Sequence, residues 1–309
     1  MLSIAVTILP IFLLIIVGYL FKRFGFPGDN FWVPAEKLTY FVLLPALIIR
    51  SITETDLSTM PVGPMALTIL SLGASMIVLS LIIKPVMRID GPAYTSVLQG
   101  STRINAYLCF AIGDALYGPQ SVALCAYFLA VMMPFINTSL VPLISAYAGN
   151  GKPNWASVPL QVIKNPIIIA CAIGWTINML SIPTPQWLIT FLSILDRGTL
   201  PIALLCIGAG LVVVLDLSRL VALGTTAILK LICMPVIAIA LCQFFGITGL
   251  PLAIIVLFGG APASPASFIL ARQMGGDAPL MAAILSAQTI LAALTLPPIL
   301  AYIAPLVSQ

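Results

Sequence analysis

The sequence predicts an all-α membrane protein of ten transmembrane helices, arranged as two inverted five-helix repeats whose fourth and ninth helices are broken. Three observations carry that expectation. Of the 309 residues, 61% are hydrophobic and only 7% are charged, with a mean hydropathy of +1.17, which fits no soluble class. The apolar residues gather into ten runs, each near or above the roughly 20 residues that a helical crossing requires. Proline and glycine positions recur between the two halves of the chain at nearly constant separation, as hidden repeats in membrane proteins do.

The first run covers residues 2–21 and is closed by Lys22 and Arg23; its length and flanks are wrong for a cleaved signal peptide. The others cover 35–52, 62–86, 92–117, 119–148, 158–181, 187–213, 218–245, 249–275 and 278–304. Ten crossings with short loops fill this length, so no sizeable soluble domain is expected. Lys22, Arg23 and Lys37 flank the first connection, Lys84 and Arg88 the third, Lys152 and Lys164 the fifth, Arg219 the seventh and Arg272 the ninth. The even-numbered connections carry little beyond Arg50. The positive-inside rule then places the odd connections in the cytoplasm and both termini outside, in a multi-pass protein of the cytoplasmic membrane.

Pro10, Gly18 and Pro45 recur as Pro166, Gly174 and Pro201 at a separation of 156 (166 − 10, 174 − 18, 201 − 45). Gly100, Ala106, Ala111, Pro119 and Ala123 recur as Gly260, Ala266, Ala271, Pro279 and Ala283 at 160 (260 − 100, 283 − 123). The first half is 1–148 and the second 158–309, joined by a cytoplasmic linker at 149–157 that is rich in Gly, Pro and Asn. Five is odd, so the second half enters the membrane from the opposite side.

The ninth run contains GGAPASPASFILARQMGG (Gly259–Gly276). Pro262 and Pro265 remove two backbone N–H groups and leave carbonyls one turn earlier without partners, so the helix is expected to break. In hydrocarbon such a break is tolerated only against protein or a watery cavity. Ser264 before Pro265 has the chemistry of an N-cap followed by the first helical position. Its echo in the fourth run is GSTRINAYLCFAIG (Gly100–Gly113), which lacks a proline.

Arg103 lies near the middle of that fourth run, where a charge must be paired or face water. Two readings are open: a structural arginine paired with a helix end or an acid, or a cavity-lining arginine whose planar fork receives a carboxylate. Ser101, Thr102, Asn105 and Tyr107 offer donors around it, and Asn105 can cap the second half-helix. Ala261, Pro262, Ser264, Pro265 and Ser267 are the facing partners, small enough for close approach. Asn137 and Gln288 are weaker candidates, suited also to bridging helices. Asp196, Arg197 and Lys230 are the other charges within apolar runs, and Asp196 and Arg197, which precede Pro201, fall partly at the outer interface if the seventh helix starts late. Asp196 is the acid best positioned for ion coupling, with Asp114 as a fallback, and Lys230 also suits structural pairing with an acid or backbone carbonyls.

Several classes are disfavoured. Histidine is absent and the six cysteines are scattered without a CxxC pair, so no metal or other cofactor is expected. No hydrolase, metalloprotease or phosphate-gripping motif is present, so neither an enzyme nor an ATP-driven pump is expected. The net charge of +4 is dispersed between apolar runs, which argues against nucleic acid as a partner.

The segments ILPIFLLIIVGYLFKRFG, LLPALIIRSI, KNPIII, LKLICMP and GGAPASPASFILARQMGGDAPL resemble the auxin efflux carrier family, in its bacterial branch of malonate and organic-anion carriers. The resemblance covers nearly the full chain. It implies that the broken fourth and ninth helices cross at a substrate site. Many members have an Asn–Thr pair and then a proline in the fourth helix, and this chain departs from that pattern. Residues and resemblance together lead to a secondary transporter of small organic anions, mono- or dicarboxylates such as malonate, working by alternating access. The expected partners are that anion and the lipid bilayer, and a proton or Na+ as co-substrate and a homodimer are compatible with the sequence. An anion channel and a membrane sensor of a carboxylate are the rival classes.

Overall fold

The computed structural model describes residues 2–56, 60–148, 164–212 and 219–307. Among them every regular element is helical, as a chain in hydrocarbon requires, because a helix satisfies its own backbone N–H and C=O groups where water cannot. The order begins with α1 (Leu2–Arg23) and a composite span, Asp29–Glu54, that contains α2 (Trp32–Leu38), a π turn (Thr39–Leu43) and α3 (Leu44–Glu54). Next come α4 (Val62–Met87), α5 (Gly91–Thr102), α6 (Ala106–Tyr117) and α7 (Pro119–Ala148). The second half holds α8 (Pro166–Met179), α9 (Gln186–Asp196), α10 (Thr199–Ala209) and α11 (Leu220–Ile228). A second π turn (Leu229–Cys233) leads into α12 (Met234–Phe244), followed by α13 (Gly249–Gly260), α14 (Ala266–Gln273) and α15 (Ala278–Val307). Seven helical stretches are long and apolar enough to cross a membrane, and α8 and α13 are shorter apolar helices. The expected linker at 149–157, with Lys152, and the first residues of the sixth run lie outside the described residues.

Local chemistry explains most boundaries. Asp90 accepts the Ala93 N–H at 2.9 Å to start α5 ahead of Pro92, and Asn165 accepts the Ile167 N–H at 2.9 Å to start α8 ahead of Pro166. Both pairs follow the rule that a side-chain oxygen caps the first turn and proline occupies a position whose N–H is free anyway. The π turns each end two residues before a proline, Pro45 and Pro235. A proline ring clashes with the carbonyl four residues back, and a wider turn moves that carbonyl aside. The run 187–213 is interrupted at 197–198, just before Pro201, which has no N–H to donate to the carbonyl of Arg197.

Glycines set the closest helix contacts. A Cβ on Gly18 would sit 2.1 Å from the Leu205 carbonyl oxygen, and one on Gly208 1.9 Å from that of Ile15. Helices α1 and α10 therefore touch backbone to backbone. Gly174 plays the same part where α8 meets α3, with Ile52 Cβ 2.9 Å from a would-be Cβ. Asn178 completes that contact by donating to the carbonyls of Ile52 and Thr55, each at 2.8 Å, at the end of α3. Helices α5 and α13 are wrapped by the others and mostly buried, and α6 is buried over Leu108–Gly113 and emerges at Asp114.

Candidate functional site

Two helical interruptions meet inside this bundle. Helix α5 ends at Thr102, Arg103 is extended (φ −74°, ψ 154°), and α6 starts at Ala106. Helix α13 ends at Gly260, Ala261 is likewise extended (φ −73°, ψ 148°), and α14 starts at Ala266. The Asn105 N–H donates to the Pro262 carbonyl at 2.8 Å, so the two broken stretches are hydrogen-bonded to each other directly. A third helix locks them: Gln288 of α15 accepts from the Ala263 N–H at 2.9 Å and donates to the carbonyls of Gly100 (3.0 Å) and Thr226 (3.2 Å). Its amide bridges both interruptions and α11, which fills the role of a helix bridge and leaves little of it for a ligand.

The capping expectation is half right and its other half is reversed. Asn105 does cap α6, accepting the Leu108 N–H at 3.3 Å. Ser264 does not cap α14 through its side chain, because that helix is entered through Pro265 in a helical conformation with no side-chain cap. The turn is closed instead by the Ser264 backbone carbonyl, which accepts from the Ser267 N–H at 2.9 Å.

Arg103 is buried, and its Nη2 donates to Asn137 Oδ1 of α7 at 3.0 Å. Its Nε is buried without any hydrogen-bond partner, an expensive condition for part of a cation. Asn137 thus holds the guanidinium. Thr102 Oγ1 donates to the Leu98 carbonyl at 2.6 Å, and Ser101 shares a 2.7 Å hydrogen bond with Ser80. Both hydroxyls are committed within the protein. Ser267 is buried with its Oγ unpartnered, and Ala261 and Pro262 are packed at the junction.

Cavities flank the crossing. One, of about 420 Å³, is lined by Thr102, Arg103, Tyr107, Ser264 and Pro265 together with apolar side chains of α7 including Leu129, Met132, Met133 and Ile136. The other, of about 500 Å³, contains Asn105, Tyr107, Ala263 and Pro265 and reaches out to the exposed charges Lys22, Asp29 and Arg272. Tyr107, Pro265, Val33, Ile269 and Glu36 belong to both. Glu36 was not singled out by the sequence reading. It lies one residue before Lys37 near the start of a run, where charges read as ordinary interfacial flanks.

The remaining charges are elsewhere. Asp196 is buried in an ion pair with Arg50, which also reaches Glu54 at 3.3 Å, and Arg197 is exposed. Lys230 is fully buried in the second π turn, and its Nζ lies 2.9 Å from the Met234 sulfur. Neither the acid nor the carbonyl partner expected of Lys230 is the group it meets. None of these three lines either cavity. Among the described residues no three His, Cys, Asp or Glu side chains gather as a metal site.

Residues 3–300 match a family described as membrane transport protein. The chain belongs to that family. It is a family of transporters and not of enzymes, in accord with the auxin efflux carrier resemblance of the motifs. The chain is also similar to an uncharacterized transporter of Methanothermobacter thermautotrophicus, with 22% identity over 304 residues that cover 94% of this chain and 95% of the relative. A multi-pass integral membrane protein is the common ground of family and fold.

Proposed function

We propose that this member of the membrane transport protein family is a secondary transporter of small organic anions, mono- or dicarboxylates such as malonate, which it carries by alternating access. The observation that carries the proposal is Arg103: a buried guanidinium at a helix break, lining a cavity, held on one side by Asn137 and with its Nε unsatisfied. A carboxylate matches that fork. The first turns of α6 and α14 start at the crossing, so their N–H ends add partial positive charge at the same place. The apolar wall from α7 suits the carbon skeleton of the anion.

An inverted repeat of two five-helix halves supplies the moving parts. The separation of 160 carries Arg103 and Asn105 onto Ala263 and Pro265 (103 + 160, 105 + 160), inside the second interruption. The separation of 156 carries Arg197, at the interruption before Pro201, onto Phe41 (197 − 156), inside the π turn before Pro45. Packing of α1 on α10 and of α3 on α8 through glycines gives each half a helix on which the other bears. In the proposed cycle the crossing moves against this frame, and the present cavities form the side facing the cytoplasm, with both termini outside.

The test is a thermal-stabilisation screen of purified protein against malonate, succinate, lactate and acetate, followed by counterflow in liposomes containing only this protein. Stabilisation by at least one acid and saturable counterflow of it are expected. No stabilisation and no flux would overturn the proposal, and flux that never saturates would make the protein a channel.

A further inference from the structure

We propose that Glu36 is the proton-carrying group of the transport cycle: its carboxylate takes one proton from water as the anion settles at Arg103 and returns that proton when the anion leaves. The inference rests on the anion-carrier reading above and names its coupling ion. Glu36, half-buried on α2, lies where the two cavities share a wall, so a single side chain meets both the Arg103 side and the Asn105 side of the crossing.

The other acids near the bundle are engaged or outside it. Asp29 binds Lys22 at 2.6 Å, Asp196 and Glu54 bind Arg50, and Asp277 binds Arg219 at 3.1 Å. Asp90 caps α5, and Asp114 is exposed outside both cavities. Among the described residues no hydrogen bond or ion pair engages the Glu36 carboxylate. It is faced by Tyr107 from α6 and Cys206 from α10, with Tyr40 a turn further along and Lys37 beside it. Neither a phenol nor a thiol carries charge near neutral pH. The cations in reach are Lys37 and, along the first cavity, Arg103; Lys22 and Arg272 stand at the mouth of the second.

An ionised Glu36 and a bound carboxylate would therefore be like charges in one low-dielectric space. A proton on Glu36 removes that repulsion. Since linkage is reciprocal, a protonated Glu36 favours the anion and the anion in turn favours the proton, which is the coupling a symporter needs.

The experiment measures binding of the four panel acids as a function of pH, over a range in which the acids themselves stay fully ionised, to the wild type, Glu36→Gln and Glu36→Asp. Affinity of the wild type should rise as pH falls, by up to about tenfold per pH unit where Glu36 titrates. Glu36→Gln, which mimics the neutral acid, should bind with no such slope, exchange anion in counterflow, and fail to accumulate it from a pH gradient; Glu36→Asp should restore the slope. An unchanged slope in Glu36→Gln, or dependence on Na+ in place of pH, overturns the assignment while the carrier reading stands. Should no panel acid bind the wild type, the carrier reading fails, and infrared titration of the ligand-free protein still decides Glu36. A carboxyl C=O band that grows as pH falls and is missing in Glu36→Gln supports the proton site, and identical spectra overturn it.

Discussion

Between Thr102 and Ala106 the chain leaves the helix without a proline, and between Gly260 and Ala266 it leaves with two. The second interruption is written into covalent structure: Ala261 precedes a proline and is pushed to an extended conformation, and Pro262 has no N–H for the carbonyl of Phe258. The first has no such instruction. Beyond the local cap of Asn105 on Leu108, its residues are held open by what surrounds them, namely the Pro262 carbonyl that accepts the Asn105 N–H, and Asn137 on Arg103. One break is local and the other is tertiary. The proline-containing stretch offers a preformed backbone against which the proline-free stretch is ordered, and the proline-free stretch contributes the charge.

Removing that charge is the largest perturbation expected. Arg103→Ala should weaken binding of the panel acids at least about 30-fold, since truncating one partner of a buried, hydrogen-bonded charge pair costs roughly 2–5 kcal/mol. Calorimetry on purified, monodisperse protein checks it. Arg103→Lys should fall between the two, because it keeps the charge and loses the fork. Binding unchanged in Arg103→Ala would leave the proline-free break with a structural role alone.

Gln288→Leu should separate the two breaks without touching a cavity-lining charge. It would leave the Ala263 N–H and the Gly100 and Thr226 carbonyls short of a partner, at about 1–3 kcal/mol for a buried orphan. Lower thermal stability is the primary readout. Hydrogen exchange should speed up more across 100–106 than across 259–266, because prolines keep the second stretch open in any case. Equal changes in both would contradict the distinction between a local and a tertiary break.

The same distinction explains what the sequence could disclose. Helical class, apolar runs, the break at Pro262 and Pro265, and the cap at Asn105 depend on neighbours in the chain, and each was legible there. Gln288 acts on Gly100, 188 residues away, and Asp196 on Arg50, 146 residues away. No short-range pattern encodes such pairings. Lys230 meeting a methionine sulfur, and Glu36 facing two cavities from a place that reads as an interfacial flank, were hidden for the same reason. The π turns before Pro45 and Pro235 sit between these cases: the prolines announce a distortion, but not whether it is a widened turn or a break.

The smallest effect comes from comparing the two residues that looked like equivalent caps. Asn105→Ala removes an oxygen that accepts the Leu108 N–H, and loss of a cap of this kind costs about 1 kcal/mol. Ser264→Ala removes a hydroxyl that caps nothing, since α14 is entered through Pro265 and its first turn closes on the Ser264 backbone carbonyl, which alanine keeps. Its stability should stay within about 0.5 kcal/mol of the wild type. Thermal unfolding of the two variants side by side tests this directly. If Ser264→Ala were the more damaging, the second break would depend on its side chains after all, and the prolines would not be enough to hold it open.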